Sequence, residues 1–373
     1  MKQMICLSES KWSMNPERTQ RLMMLLGEEV EVLFFELSVT KSPLKSWLRR
    51  TAELMRAAAA NVTVCRVPPT CFDKAHTARL SIRWSIRHIA RCISRRMREK
   101  GFENAVIWTD TPLTAALLEH IPHQQVIYDC HRSWDRYPTK MESELAYRAD
   151  VVFAASPNLF DHVSPCNDSV YLLENGVDYA LFAQACMRNI EEEPVMTDLP
   201  RPVFTYLGNM TKSVRLEPLV FTARQHPDWT FVVAGRVSSQ NPDYAALTEC
   251  KNIRCIGYRP LSSQPACLAA SDACFDLLHN DITDEDVIPE RIYAYFAAEL
   301  PVAAMYPVRS ELEYPDVIYG AQSEVDFEYA CLCASSEGDR SKPERRRRYA
   351  EEADWTVRGE ALRRILHDSG VLL

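Results

Sequence analysis

Glycine is scarce in this chain: 373 residues hold only 10, where average usage would give roughly 26. No GxGxxG, GxxxxGKS or GxxxxGKT occurs, which excludes the Rossmann dinucleotide fingerprint and the P-loop. Long apolar runs are also missing. The apolar stretches, such as Ala57 to Ala60 and Val151 to Ala155, are short and interrupted, and none approaches the roughly 18 residues that a membrane span needs. The opening MKQMICLSES has one lysine, a short apolar region and no cleavage site, so no signal peptide is expected and the protein reads as cytoplasmic. None of the 13 cysteines forms a CxxC, and only Cys331 and Cys333 stand close together. A zinc pattern is absent, and most of the cysteines read as small buried hydrophobes in a reducing compartment.

The remaining composition is that of a globular protein, 47% hydrophobic and 25% charged, and the length favours two domains over one. The net charge of −8 is unevenly divided, +2 over residues 1–187 and −10 over residues 188–373. In the first half, short apolar runs alternate with longer helical patterns. The runs are Met4 to Leu7, Val30 to Phe35, Val62 to Arg66, Ala105 to Trp108, Val126 to Asp129, Val151 to Ala154 and Val170 to Leu173. Between them, helices are expected over Pro16 to Leu26, Pro43 to Ala60 and Ala78 to Lys100. Strands separated by helices of this length imply a parallel sheet covered on both faces.

The pattern breaks at an acidic, proline-bearing stretch, residues 183–201, which reads as a linker. It then restarts with strands at Val203 to Leu207, Thr230 to Ala234, Ile253 to Ile256, Ala273 to Leu277 and Val302 to Met305. Helices are expected at 215–225, 243–250, 262–270 and 289–298, and one or two more from about 340 to 368. The chain is therefore α/β, with domains over 1–182 and 202–340 and C-terminal helices over 341–373. Ligands of doubly wound folds gather at the carboxyl ends of the strands.

The segments YLLENGVDYALF (171–182), FTYLGNM (204–210), HPDWTFVVAG (226–235), NIRCIGYRP (252–260), LAASDACFDLL (268–278) and PERIYAYFAAELPVAA (289–304) follow one another in a telling order. Together with VIYDCHRSW (126–134) and RADVVFAASPNLF (148–160), they resemble GT-B glycosyltransferases of the family 4 type. The likeness spans roughly residues 126–305, and is weaker at WSMNPERTQRL (12–22) and at Trp355. It implies the GT-B fold, two doubly wound Rossmann-like domains facing across a cleft. The first would bind an acceptor and the second a nucleotide diphosphate-sugar donor, and a final helix would cross back to the first. It also implies transfer with retained anomeric configuration, no metal, and no cofactor beyond the donor itself.

On this resemblance, Gly208 and Asn209 open the turn after the first strand of the second domain, where backbone N–H groups can approach a diphosphate. Lys212 and Arg215 follow within a helical turn, either to neutralise that diphosphate or as a solvated first turn. Arg236 and Tyr258 close the next two strands, where relatives line the base and ribose. Arg291 stands where relatives often have lysine, and could bind the diphosphate. Three positions depart from or vary the pattern: Ala294 replaces a glutamate that bonds the donor ribose, Asp286 replaces a glutamate near the transferred sugar, and Glu299 replaces the glycine of GxPV. Gly176, Gly208, Gly235 and Gly257 lie at the domain border or at strand ends, where a backbone may approach a ligand only if side chains are absent.

In the first domain, His131 matches a family histidine near the reacting sugar. Asp129 would orient it or accept a proton from the acceptor hydroxyl. Arg132 and Trp134 are acceptor-side candidates. Trp134 and Tyr137 suit either sugar stacking or a core. Helix 78–100 places Ile82, Ile86, Ile89, Ile93 and Met97 on one stripe, and Arg83, Arg87, Arg91, Arg95 and Arg98 on another, with eight basic residues against one acid. Such a helix suits an anionic membrane surface, as for a protein peripheral on the inner face of the plasma membrane, or a stripe on the sheet with solvated arginines. With a pI near 5.7 and no reader motif, nucleic acid is not expected as a partner. The run Arg345 to Arg348 is expected to pair with the following acids at helical spacing.

The function that these features support is transfer of a sugar from a nucleotide diphosphate-sugar to a glycan or lipid-linked acceptor, in cell-surface polysaccharide or glycoconjugate synthesis. Two alternatives remain: a non-catalytic GT-B partner subunit, motivated by Ala294, and a nucleotide-sugar epimerase.

Overall fold

The computed structural model describes residues 2–13, 15–40, 55–71, 80–134, 137–187, 190–278, 286–306 and 314–371. They form two compact units, one of residues 1–174 with 358–373 and the other of residues 175–357.

Eight strands build the sheet of the first unit. They are β1 (Lys2–Ser8), β2 (Val30–Glu36), β3 (Met55–Ala59), β4 (Val62–Arg66), β5 (Ala105–Thr109), β6 (His123–Cys130), β7 (Val151–Ala154) and β8 (Val170–Leu172). Their order is β8-β7-β6-β5-β1-β2-β4-β3. Every pairing is parallel except β3 with β4. After β1 the chain builds outward through β2, and it returns to the other side of β1 with β5. Strand order therefore reverses between β1 and β5, and the crevice outside their carboxyl ends is where such folds hold ligands. The apolar runs are continuous because helices cover both faces: Met4, Ile5, Cys6 and Leu7 are all fully buried.

Helix α1 (Arg18–Leu26) follows β1. Gln20 Oε1 accepts the Glu17 N–H at 3.0 Å, satisfying a donor that the first turn leaves without a helical partner. Helix α2 (Leu80–Glu99) turns its expected apolar stripe inward, with Ile82, Ile86, Ile89, Ile93 and Met97 all buried. The helix expected over 43–60 is not formed where the structure describes it. Residues 41–54 lie outside the described residues, and Met55–Ala59 is the edge strand β3. Asn61, at φ 55°, takes the left-handed turn that lets β3 fold back on β4 and pair Ala57 with Thr63. This pairing overrides the helix propensity of the alanines.

The second unit has a six-stranded, all-parallel sheet of β9 (Val203–Leu207), β10 (Thr230–Ala234), β11 (Ile253–Cys255), β12 (Ala273–Asp276), β13 (Val302–Met305) and β14 (Ile318–Ala321). Its order is β11-β10-β9-β12-β13-β14, so the reversal falls between β9 and β12. Alternate residues feed two cores. Val203, Leu207, Val232 and Cys274 face helix α3 (Glu290–Ala297), whereas Phe204, Tyr206, Phe231 and Phe275 face the opposite layer with Leu219 and Phe327. The stretch 183–201 lies within this unit. Met196 is buried, and Arg259 bonds Glu193 at 3.1 Å.

Helix α4 (Lys342–Glu352) closes the second unit, and α5 (Trp355–Asp368) carries the chain back into the first at Arg358. There Gly359 packs on Leu25, and Arg363 bonds the Leu25 carbonyl at 3.3 Å. The arginine run is not simply a solvated face. Arg346 is fully buried, donating to the Glu299 carbonyl at 2.9 Å and to Glu337. Arg347 does show the helical pairing expected of the run, 3.9 Å from Glu351.

Candidate functional site

In the first unit, the carboxyl ends of β1, β5 and β6 bring together a set of polar side chains. Asp129, the penultimate residue of β6, is wholly buried and receives the Arg18 guanidinium at 2.8 and 3.1 Å. Asp110, just past β5, receives Ser8 Oγ at 2.5 Å, Thr19 Oγ1 at 2.9 Å and the Glu9 N–H at 3.4 Å. Adjacent residues of α1, Arg18 and Thr19, thus each hold one carboxylate. Glu9 in turn accepts from Thr111 Oγ1 at 2.8 Å and from the Tyr137 hydroxyl.

His131 leaves β6 beside these carboxylates, half-buried, with Nδ1 4.0 Å from Asp129 Oδ2 and 3.4 Å from the Asp129 carbonyl oxygen. Burial lowers its pKa below the usual histidine value, against the pull of Asp129 and Asp110. At neutral pH it is therefore an uncharged imidazole, able to donate at one nitrogen and accept at the other. Burial raises the Asp110 pKa, with His131 and the Ser8 bond acting in the opposite sense. The exposed Arg132 lies 4.0 Å over the ring of Trp134. Trp134 is only 8% exposed and Tyr137 only 2%. Both rings are packed, edge to face at 5.7 Å, and do not stand open as platforms.

In the second unit, Gly208 follows β9 at φ 127° and Gly235 follows β10. These two glycines meet: a Cβ on Gly235 would stand 1.8 Å from the Gly208 carbonyl oxygen. Gly176 has an analogous reason, since its Cβ would lie 2.8 Å from the Ala353 carbonyl oxygen. At both positions the close approach is made by the protein's own backbone. The Asn209 side chain is used internally as well, its Oδ1 accepting the Arg236 N–H at 2.9 Å and tying the two strand ends together. Around this turn Lys212 and Arg236 are exposed and Arg215 is half-buried. None of the three has an ion pair or side-chain hydrogen bond among the described residues.

Arg291, on the first turn of α3, is committed differently. It bonds Asp276 Oδ1 at 2.7 and 2.9 Å and lies 4.8 Å over the Tyr206 ring. Burial opposes its charge, but Asp276 with Tyr206 and Tyr295 holds its pKa above the usual arginine range. Burial pushes Tyr206 up to about 12. Tyr258 is exposed beyond Gly257, and Asp286 is half-buried before α3. The segment 279–285 lies outside the described residues. Ala294 is 2% exposed, within the core formed by Tyr293, Tyr295 and Phe296. Glu299 adopts φ 57°, the left-handed conformation that favours glycine, and its carboxylate lies 3.4 Å from Arg347. Among the described residues, no three His, Cys, Asp or Glu side chains gather closely enough to hold a metal ion.

Three residues of this geometry escape a reading of the sequence alone. Arg18 and Asp110 become prominent only when α1 meets the ends of β5 and β6, more than 90 residues away in the chain. Asp276 ends β12 in a run that reads simply as core. The strand-end positions of Asp110 and Asp276 were the available signal, since that edge is where doubly wound folds place their chemistry.

No protein-family model matches the chain. It is 23% identical over 293 residues, 72% of each chain, to TuaH of Bacillus subtilis (strain 168), which is assigned to teichuronic acid biosynthesis as a glycosyltransferase. Among solved structures it resembles the sucrose-phosphate synthase of Thermosynechococcus elongatus, with a TM-score of 0.72 at 13% identity over 98% of this chain and 99% of that one. It also resembles the E. coli trehalose-6-phosphate structure bound with UDP-2-fluoro glucose, with a TM-score of 0.69 at 10% identity over 100% of both chains. These likenesses establish the fold.

Proposed function

We propose that this chain, a GT-B glycosyltransferase by its fold and its relatives, moves a sugar from a nucleotide diphosphate-sugar to a glycan or lipid-linked acceptor. The reaction is read as retaining and metal-independent, and as a step in cell-surface polysaccharide or glycoconjugate synthesis in the cytoplasm. The observation that carries this reading is the strand-end turn of the second unit. Lys212, Arg215 and Arg236 there have no partner among the described residues, next to the Gly208 backbone. Cations without a partner beside a side-chain-free turn at the end of β9, a strand that borders the switch point of the sheet, suit a diphosphate. Two of the proteins it resembles support the reading, one bound with UDP-2-fluoro glucose and one assigned to teichuronic acid biosynthesis.

In this reading Lys212 and Arg215 hold the diphosphate, and they stabilise the charge that grows on it as the glycosidic bond breaks. Gly208, whose own N–H bonds the Ala234 carbonyl at 3.2 Å, keeps the turn free of a side chain where the diphosphate approaches. Arg236 and Tyr258 lie toward ribose and base. Arg291 is fixed and neutralised by Asp276, and is not a mobile clamp on the donor. His131, neutral at pH 7, bonds a hydroxyl of the acceptor, and Arg132 lies beside it. Asp129 is occupied by Arg18, so its part is to fix the end of β6 and not to take a proton itself. Catalysis then rests on orientation and on electrostatic stabilisation of the leaving group. The test is donor hydrolysis or transfer measured with the full chain and its Lys212→Ala and Arg215→Ala variants. Unchanged kinetics in both variants would remove these residues from the donor site.

One observation favours a second reading. Ala294 leaves no carboxylate for the donor ribose, and the position is packed in the core. A non-catalytic GT-B subunit would bind nucleotide diphosphate weakly or not at all, and would show no turnover with any donor.

A further inference from the structure

Along the outer face of α2, Arg83, Arg87, Arg91, Arg95 and Arg98 are exposed. Arg83, Arg87 and Arg91 have no ion pair or side-chain hydrogen bond among the described residues, whereas Arg95 lies 3.6 Å from Glu99 and Arg98 bonds the Ser94 carbonyl. Two adjoining cavities run beside these arginines and share Arg87 and His120 in their walls. One, of about 360 Å³, is lined by Arg87, Ala90, Arg91, Ser94, Arg98 and His120, with no carboxylate. The other, of about 270 Å³, has an apolar wall of Ile82, Ile86, Ala115 and Met141. Two acids also border it, Glu119 and Glu144, of which Glu144 is 3.6 Å from Arg148. Trp84, 60% exposed, stands on the same helix and stacks on His88 at 5.4 Å.

A cationic slot that continues into an apolar slot, next to an exposed indole, matches an amphiphile with an anionic head and a hydrocarbon tail. We propose that this groove seats the phosphate headgroup and first methylenes of an anionic membrane lipid, docking the first unit on a bilayer surface. The arginines meet the headgroup phosphates, Trp84 enters the interface, and Ile82, Ile86 and Met141 line the start of the chain. Nucleic acid fits less well. It offers phosphate but no hydrocarbon, and the whole chain carries a net charge of −8. Membrane docking through a seated headgroup does not depend on the donor chemistry, and it is measured with neither donor nor acceptor present.

The test is co-sedimentation of the full chain with vesicles of phosphatidylcholine alone, and with vesicles containing phosphatidylglycerol. The chain is expected to pellet with the anionic vesicles and to stay in solution with the neutral ones. The combined Arg87→Gln, Arg91→Gln and Arg98→Gln variant is expected to bind about two orders of magnitude more weakly, from about fivefold per arginine. Trp84→Ala is expected to lose less. Arg224→Gln, an equal charge change per residue in the second unit, is expected to lose nothing. An unchanged thermal transition in the triple variant establishes that it is folded. Equal pelleting of the triple variant and the wild-type chain would overturn the proposal. So would displacement by millimolar inorganic phosphate, which marks a free-phosphate site, or tighter binding to a single-stranded RNA than to the vesicles.

Discussion

Arg18 closes on Asp129 with bonds to both carboxylate oxygens, at 2.8 and 3.1 Å, in a place where the carboxylate is wholly buried and the arginine nearly so. The pair joins the first turn of α1 to the end of β6. It therefore fixes the position from which His131 departs.

Breaking this pair from one side should be costly. Arg18→Met leaves Asp129 as a buried charge with no counter-ion, and a loss of about 3–5 kcal/mol is expected. Arg18→Met combined with Asp129→Leu should recover much of that loss, because no charge then remains to be solvated. Denaturant unfolding of the three proteins checks this. A single variant no less stable than the double would contradict it.

The shifted histidine predicts a pH dependence. The folded pKa of His131 lies below its unfolded value near 6.5. Between the two, the unfolded chain holds a proton that the folded chain does not. Stability should therefore fall as pH drops below about 6.5. Asp110, whose folded pKa is raised, acts in the opposite sense: its favourable contribution is present at low pH and is lost as pH rises through its folded pKa. In His131→Gln the decline below pH 6.5 should be shallower. Urea midpoints from about pH 5 to 7.5 measure the slope, and an identical slope in wild type and variant would dismiss His131 as its source.

The meeting of two strand-end glycines predicts a severe effect. Gly235→Ala would drive its Cβ to 1.8 Å from the Gly208 carbonyl oxygen. Backbone must move to relieve this contact, so a cost of about 3 kcal/mol or more is expected. Gly338→Ala, with nothing within 4 Å of its Cβ, serves as the mild control. Thermal melting of both variants distinguishes them, and equal losses would argue against the close approach.

The three cations around Gly208 should act on nucleotide and not on folding. Each of Lys212→Ala, Arg215→Ala and Arg236→Ala is expected to weaken nucleotide diphosphate binding about tenfold or more, the scale of one charge-assisted hydrogen bond. Their melting temperatures should stay close to that of the wild type. Arg291→Ala should differ by destabilising the second unit, since it strips Asp276 of its buried partner. Calorimetric titration beside melting curves tells the two behaviours apart.

Both sheets were legible in the amino-acid pattern, because strands buried on two faces read as continuous apolar runs such as ICL and VFTYL. The β3 hairpin strand was not. Its RAAA stretch has a helical propensity, and only Asn61 at the turn hinted otherwise. Strand β14 and the helix Glu324–Ser335 also passed unread, since the latter shows almost no amphipathic contrast, with Val325, Tyr329 and Leu332 exposed opposite the buried Phe327 and Cys331. In the sites, the scarcity of glycine pointed to Gly176, Gly208, Gly235 and Gly257 as special. Two of them prove special because protein backbone presses on them, which residue identity cannot reveal. The partners of Asp129 and Arg291 were hidden for other reasons: Arg18 comes from a segment 111 residues away, and Asp276, 15 residues before Arg291, ends a run that reads as core.

A donor gripped by the second unit would leave its nucleotide diphosphate at the ends of β9 and β10. Isothermal titration of the full chain with UDP, GDP, ADP and TDP in turn tests it most directly. The expected result is saturable binding of at least one of them, with a Kd on the order of 1 µM to 1 mM, weakened when Lys212 and Arg215 are replaced by alanine. Heats no larger than dilution for all four nucleotides would contradict it.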